Sequence, residues 1–221
     1  MDKKKCKFKK PFDKDFSFYM SEAMRDTAKE IDGCLFTITH SDEASFVLRN
    51  DQSLETTPWF GNRIQKLLSV TASIFTAQFN NILAGEYLTA YFDARTFVVP
   101  NITEVCNYLH WQQNDVVKNS ISVSCYYEVS EKVGKKTARK LMHGLNQNKQ
   151  QELLFQQTGI NWNDYPVKFK RGIGVRRVVR EYTDGDKTYT RSEWEIDLNI
   201  PIFTKDREYL MNILHIEGDG A

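Results

Sequence analysis

The residues best suited to metal chemistry lie in one polar tetrapeptide, His40-Ser41-Asp42-Glu43. Both flanks are rich in β-branched and aromatic residues, which predicts a hairpin over residues 35–48 with the two carboxylates at its tight turn. Mg²⁺ prefers carboxylate oxygens and substrate phosphates, so Asp42 beside the sheet is a candidate metal ligand. Because turns favour polar residues whatever the function, an ordinary turn is the alternative interpretation.

Basic residues form local patches on a chain that is almost neutral overall. The formal net charge is +1, yet residues 3–14 hold seven lysines, Lys10 among them, and residues 168–180 form a second basic tract. Residues 168–172 place a phenylalanine among cations, which is a weak signature of nucleic-acid binding. Such patches fit a polyanionic partner, and a solvated surface is the alternative.

A helix predicted over residues 59–81 brings two further cations together. Its apolar residues recur at helical spacing, and Arg63 and Lys66 lie three apart near its start, so they share a face. Cations at that end oppose the helix dipole, which a bound anion would explain. Ordinary surface charge explains them equally well.

Cysteine and histidine usage excludes several other classes of site. The four cysteines show no C-x-x-C spacing and the four histidines are isolated, so we expect reduced thiols and no zinc site. No apolar run approaches the ~20 residues of a membrane span, and the lysine-rich start lacks the apolar region of a signal peptide. These features predict a cytoplasmic protein.

The remaining pattern mixes helices and strands without regular βαβ alternation, which predicts the α+β class. Asp13 or Ser17 is expected to cap the first helix. Side-chain amides are dense at residues 112–120, where they could bind bases, ribose and phosphate or simply cap a helix end. Besides the hairpin, the predicted elements are helices at 16–31, 59–81, 104–119, 135–144 and 151–158, strands at 87–100, 175–182 and 187–198, and a closing helix or strand at 209–216.

A series of short motifs, in one linear order over nearly the whole chain, resembles one enzyme family. The chain resembles the tRNA-histidine guanylyltransferases, in particular the branch called guanylyltransferase-like proteins. The motifs are KKPFD at 9–13, SDE at 41–43, YFDAR at 91–95, WQQND at 111–115 with NS at 119–120, ELLFQ at 152–156, GIN at 159–161, FKRG at 169–172 and IPIFT at 200–204.

The resemblance implies both a fold and a reaction. The fold is one domain over residues 1–221, with an antiparallel sheet like the palm of polymerases and helices packed on one face. The reaction adds nucleotides to the 5′ end of tRNA, either on tRNA-His or in template-dependent repair, with two Mg²⁺ ions and with ATP and GTP as substrates. Phosphoryl transfer needs positioning and charge neutralisation, which carboxylate-held metal ions and cations supply. The family also implies a homotetramer.

Site residues carry over from the family one position at a time. Asp42 matches a metal-binding aspartate, with Ser41 and Glu43 beside it at the catalytic site. The positions that match nucleotide-binding residues are Lys10 at the triphosphate, Arg63 and Lys66 near the phosphates, and Asn119 and Asn161 in the activation region. For each, a structural role is the alternative, as a solvated cation or as a cap.

The chain departs from the family where the second metal aspartate is expected. That aspartate belongs to an Asp-Gly motif on a first strand just before the Lys-Pro segment, and no such motif precedes Lys10. Asp32-Gly33 follows the first helix instead and does not match. Gln112 and Gln150 replace the arginine and lysine that are common in the family, and Val117 lies where some members carry histidine.

Three explanations are open for the missing strand and its aspartate. The strand lies upstream of the given start, or the protein is a natural form that binds tRNA or nucleotide without catalysis, or a partner chain supplies the strand. The first is the expectation here. The second provides an alternative function, a non-catalytic or truncated tRNA- or nucleotide-binding relative. A lone carboxylate cannot place two divalent ions as two carboxylates can.

Overall fold

The computed structural model describes residues 8–51, 55–83, 89–185 and 187–214. Single-turn 3₁₀ segments also occur at Trp59–Asn62 and Trp162–Asp164. Within the described ranges, no helix is both long and apolar enough to cross a lipid bilayer. In chain order the elements are α1 (Lys14–Glu30), β1 (Cys34–His40), β2 (Glu43–Leu48), α2 (Ile64–Leu83), α3 (Ile102–Val133), α4 (Lys135–Met142), α5 (Gln147–Thr158), α6 (Val167–Arg171), β3 (Ile173–Asp184), β4 (Lys187–Asp197) and α7 (Arg207–Leu214).

One four-stranded antiparallel sheet, in the order β2-β1-β3-β4, forms the centre of the fold. In its register Ile38 of β1 lies between Ser45 of β2 and Gly174 of β3. β1 pairs only with the beginning of β3, and the rest of β3 continues with β4 as a two-stranded ribbon that ends at the Asp184–Lys187 pair. The α+β class and the antiparallel sheet are therefore confirmed.

Helices cover both faces of the sheet, whereas the family resemblance implied one covered face. Since directly paired residues point to the same side of a sheet, the register separates two cores. On one face Val175 packs with Phe46 against α1 and α2, through side chains such as Met24 and Phe79. On the other, Phe36 and Ile38 pack against α3 and α7, through Leu109 and Leu210, and against Phe203 in the segment before α7. Both faces of the central strand β1 are thus buried.

The predicted hairpin and the first helix are confirmed. β1 and β2 pair up to His40 and Glu43, so Ser41 and Asp42 form a two-residue turn. The side chain of Asp13 caps α1 by accepting hydrogen bonds from the backbone N–H groups of Asp15 (2.9 Å) and Phe16 (2.8 Å), as one of the two proposed caps.

The long helix α3 extends well past its predicted end. Asn101 caps it at the start, and Gly134, with φ of 81°, ends it. The prediction stopped the helix at residue 119, but no glycine or proline occurs from 102 to 133 to break it. The amide-rich stretch at 112–120 therefore lies in the middle of a helix, so the idea that it caps a helix end was wrong.

The strand predicted at 87–100 does not form over the described residues 89–100, and residues 87–88 lie outside the described ranges. Asn80 of α2 accepts from the backbone N–H of Ala90 (2.8 Å) and donates to its carbonyl (2.9 Å). These are the backbone groups that a neighbouring strand would have used. In the described part of the chain β2 is accordingly an edge strand of the sheet.

Candidate functional site

The hairpin turn holds Asp42 in a defined position beside the sheet. Ser41 adopts φ of 56° and its hydroxyl donates to Oδ1 of Asp42 at 2.9 Å. Thr39 Oγ1 donates to the carbonyl of Glu43 at 2.7 Å, which ties the two sides of the turn together. Asp42 is half-buried, whereas Ser41 and Glu43 are exposed. A carboxylate held in this way can bind a cation at the end of the sheet without a large loss of side-chain entropy.

Helix α6 ends directly against β1, two residues before the turn. Gly172, which follows α6, has φ of 92°, and a Cβ atom placed there would lie 2.7 Å from the carbonyl oxygen of Thr39. Only glycine allows this backbone conformation at so close an approach. The end of α6 and the Asp42 turn are therefore held at the same end of the sheet.

The segment that carries Lys10 packs on α6. The ring of Phe12 stacks on the ring of Phe169, with centroids 4.9 Å apart and planes 5° apart, and meets the ring of Tyr165 edge-on at 5.1 Å. Lys9 N–H donates to Asp13 at 2.7 Å, which closes the segment into a turn. Lys10 itself is exposed. Phe12 thus anchors the Lys10 segment on α6, whose other end adjoins β1 next to the turn.

The two predicted asparagines are joined through the residues next to them. Trp162 Nε1 donates to Oγ of Ser120 at 3.0 Å, which links the loop after Asn161 to the residue after Asn119 on α3. Asn161 Oδ1 accepts from the backbone N–H of Asn163 at 2.9 Å. The structural alternative is therefore partly true for Asn161, since its side chain does cap a short turn.

Helix α3 runs towards the turn end of the sheet. Cys106 and Leu109 pack in the core with Phe36, and further along the helix Gln112 donates to Ser45 Oγ at 2.6 Å, three residues from the turn. Asn119 follows two helical turns later and donates to Asp115 at 3.0 Å. The direction of α3 brings Asn119 towards the same end of the molecule as Asp42 and α6.

Arg63 and Lys66 lie at the other end of β1. Both are exposed at the start of α2, and the first turns of α2 pack, through residues such as Leu67, in a cluster with Trp59 and Cys34. Cys34 begins β1 and the turn follows its end, so the length of the strand, ~20 Å, lies between the Cys34 cluster and the Asp42 turn. Within one chain the structure does not bring Arg63 and Lys66 to the turn.

Comparisons with known proteins point to one family. Residues 3–100 match the family model described as tRNAHis guanylyltransferase, and residues 103–207 match the Thg1 C terminal domain. A solved bacterial tRNA(His) guanylyltransferase-like protein in complex with ATP is 35% identical, with a TM-score of 0.78 over 95% of this chain and 83% of that one. The chain belongs to the tRNAHis guanylyltransferase family. By that membership it is a nucleotidyltransferase.

Two further relatives of this family span a similar part of the chain. A bacterial guanylyltransferase-like protein in complex with GTP is 34% identical, with a TM-score of 0.76 over 97% of this chain and 84% of that one. The probable tRNA(His) guanylyltransferase of Dictyostelium discoideum is 28% identical over 84% of this chain and 74% of its own length.

The turn offers a metal ion one carboxylate of fixed orientation, that of Asp42. Among the described residues there is no group of three or more histidine, cysteine, aspartate and glutamate side chains that could enclose a metal ion. Mg²⁺ is commonly held by one or two carboxylates together with substrate phosphates and water, so Asp42 can serve as the protein ligand. Glu43, the other carboxylate at the turn, is exposed.

Two cations of the basic tract in this guanylyltransferase relative have structural partners, while the interpretation of the tract as a nucleic-acid signature stays a prediction. Lys170 is 9% exposed and donates to the carbonyl of Asn163 at 2.5 Å. Arg171 donates to the carbonyl of Ile200 at 3.3 Å. In the sequence, the alternation of Phe169 with cations could have indicated these structural roles, because successive residues of a short helix face different neighbours.

Two of the side-chain amides, those of Gln113 and Gln150, likewise have structural partners. Gln113 is buried, donates to the carbonyl of Pro201 at 2.9 Å and accepts from Phe203 N–H at 3.0 Å. Gln150, at the position where the family commonly has lysine, accepts from Ser122 at 2.9 Å and donates to the carbonyl of Leu145 at 2.9 Å.

Two pockets of about 420 and 330 Å³ lie beside α5. The larger pocket lies between α3 and the start of α5, and the smaller one lies beside Asn161. The side chains that line them are mainly amides, from Lys118, Ser122, Leu145, Asn146, Gln147, Asn148 and Gln150 in the first and from Asn148, Gln151, Glu152, Phe155 and Asn161 in the second.

Proposed function

We propose that this chain is a Mg²⁺-dependent nucleotidyltransferase that adds nucleotides to the 5′ end of tRNA, with ATP and GTP as substrates. The observation that carries the proposal is the likeness, over 95% and 97% of the chain, to solved guanylyltransferase-like proteins in complex with ATP and with GTP. The curated relative is named for tRNA(His). Guanylylation of tRNA-His and template-dependent repair of 5′-truncated tRNA are the two reactions of this kind.

The proposed chemistry consists of two phosphoryl transfers. In the first, an oxygen of the tRNA 5′-monophosphate attacks the α-phosphorus of ATP and releases pyrophosphate. In the second, the 3′-hydroxyl of the incoming nucleotide attacks the activated 5′-phosphorus, forms the new phosphodiester and releases AMP. A 5′-triphosphate enters at the second transfer and releases pyrophosphate. Each transfer is mainly a matter of alignment and of neutralising phosphate charge.

Residues at the turn end of the sheet supply what these transfers require. Asp42 would hold Mg²⁺, which neutralises charge on the transferring phosphate when it is bound. Ser41 orients the Asp42 carboxylate through its hydroxyl at 2.9 Å. Lys10 contributes an ammonium group to the triphosphate, and the Asn119 and Asn161 amides contribute hydrogen bonds to the nucleotide. Glu43 adds negative charge beside Asp42.

Arg63 and Lys66 lie at the other end of β1 in the same chain. They would reach phosphates at the turn from a second copy of the chain. A homotetramer is expected from the family.

A non-catalytic function is the second candidate, and one observation favours it. Asp42 lacks a cluster of further metal-binding side chains in the described part of the chain. A protein that kept the scaffold but not the metal site would bind tRNA or nucleotide without transferring a phosphoryl group. Binding without incorporation of nucleotide is the result that this candidate predicts.

The position of an added nucleotide tests the proposed function. The protein is incubated with Mg²⁺, ATP, α-labelled GTP and a 5′-monophosphorylated tRNA that lacks its first nucleotide, and the product is digested to locate the label. The expected result is label in a new 5′-terminal nucleotide, lost when the metal ion is chelated. Label at the 3′ end, or bound tRNA without any label, contradicts the proposal.

A further inference from the structure

Helix α6 contacts several of the elements that carry predicted nucleotide-binding residues. Its Phe169 stacks on Phe12 in the Lys10 segment. Its Lys170 donates to the carbonyl of Asn163 in the loop that follows Asn161. The residue after α6 packs against β1 close to the Asp42 turn. Helix α6 and the glycine that follows it therefore connect three parts of the predicted site.

The ammonium group of Lys170 is directed into the protein and not towards solvent. The residue is 9% exposed, its Nζ lies 2.5 Å from the Asn163 carbonyl oxygen and 5.6 Å from the centroid of the Trp162 ring. Burial lowers the pKa of Lys170 and repulsion from Arg171 lowers it further, against the attraction of Asp164. A cation is retained in such a place only where specific partners compensate for lost hydration. Those partners all belong to the loop at residues 161–164.

The same loop is held from its other side by α3. Trp162 Nε1 donates to Ser120 Oγ at 3.0 Å, and Ser124 Oγ donates to the carbonyl of Ser120 at 2.8 Å. Asn161 is exposed on this loop, at the wall of the smaller pocket. The loop is therefore fixed between a buried lysine on α6 and a buried serine on α3.

We propose that Lys170 is a positioning residue, which fixes the loop at 161–164 and so holds the Asn161 amide at the nucleotide. This inference rests on the proposed function for the identity of the ligand. Lys170 does not touch the nucleotide in this account. Its contribution passes through the Asn163 carbonyl and the Trp162 ring, both of which move with Asn161.

Two substitutions at Lys170 separate positioning from general stability. Lys170→Met keeps the length of the side chain and removes its charge, and Lys170→Arg keeps a cation that can donate to a carbonyl and lie over a tryptophan ring. With Lys170→Met, we expect the KM for nucleotide to rise about tenfold while kcat stays within about twofold, since binding is lost uniformly. Lys170→Arg should restore most of that loss. Lys136→Met, at an exposed lysine on α4, is the matched control and should leave both constants unchanged.

Hydrogen exchange in the free protein tests the inference without an activity assay. Lys170→Met should accelerate exchange of the backbone amides at 161–164 more than of those in β1, and Lys170→Arg should not. Faster exchange without measurable nucleotide transfer by the parent would retain the positioning role and reject the proposed function. Unchanged exchange at 161–164, or a KM equal to that of the parent, would overturn the inference. A uniform increase in exchange would also overturn it, because Lys170 would then serve only overall stability.

Discussion

At the scale of single residues, polar groups of similar chemistry differ in how deeply the fold buries them. Lys10 is exposed, whereas Lys170 and Gln113 are buried and donate to backbone carbonyls. All three are cations or amides in motifs of the same family, so residue type alone did not predict which of them are buried. Their burial depends on neighbours from other parts of the chain.

Lys10→Ala is expected to raise the KM for nucleoside triphosphate by about tenfold, because a hydrogen bond between charged groups contributes ~1.5–3 kcal/mol. Its effect on the free energy of unfolding should be small, since the side chain is exposed. Initial rates against nucleotide concentration give the KM. Lys9→Ala, at the adjacent exposed lysine, is the control. Equal KM values for the parent and Lys10→Ala would show that Lys10 does not contact the triphosphate.

At the scale of elements, local sequence signals correctly predicted the hairpin and the helix cap, which local interactions determine. The hairpin at 35–48 and the Asp13 cap follow from strand pattern, turn chemistry and capping, all of which act over a few residues. The strand predicted at 87–100 does not form over the described residues 89–100, where the Asn80 side chain takes both backbone hydrogen bonds of Ala90. The structural roles of Phe169 and Lys170 likewise depend on Phe12 and on the 161–164 loop, which sequence spacing does not place beside them.

Gly172→Ala tests whether the junction of α6 and β3 constrains the fold. A Cβ atom there would lie 2.7 Å from the Thr39 carbonyl oxygen, at a φ of 92° that side chains rarely adopt. We expect the free energy of unfolding to fall by ~1–3 kcal/mol from backbone strain, and by more if β1 cannot move. Urea denaturation measures the change. Gly144→Ala is the control, because Gly144 has φ of 73° but no atom within 4 Å of an added Cβ, so a cost as large there would reject the packing argument.

At the scale of the whole molecule, the site residues implied by the family lie at two ends of the sheet. Asp42, the Lys10 segment and the two asparagines collect at the turn end, while Arg63 and Lys66 lie at the start of α2, beside Trp59. The family resemblance alone could not show this separation, because similarity along a chain carries no distances. If all of these residues act on one substrate, the cations must come from a second copy in an oligomer.

Coexpression of two inactive variants tests this arrangement. Chains with Asp42→Ala and chains with Arg63→Ala should each lose most activity, and mixed oligomers should recover part of it, since some sites then combine an intact Asp42 with an intact Arg63. Differently tagged chains allow the mixed species to be purified and assayed. Mixed oligomers as inactive as either parent variant would indicate that both residues act from the same chain, or that Arg63 has no role at the phosphates.

The most direct test of the central claim is incorporation of labelled GTP into 5′-truncated tRNA by the parent, by Asp42→Ala and by Asp32→Ala. Asp32 is an exposed aspartate before a glycine at the opposite end of β1, so it controls for the loss of a carboxylate. We expect incorporation by the parent and by Asp32→Ala, and at least a 100-fold loss with Asp42→Ala, about 3 kcal/mol of transition-state stabilisation. Undiminished incorporation by Asp42→Ala would contradict the assignment of the hairpin turn as the metal site.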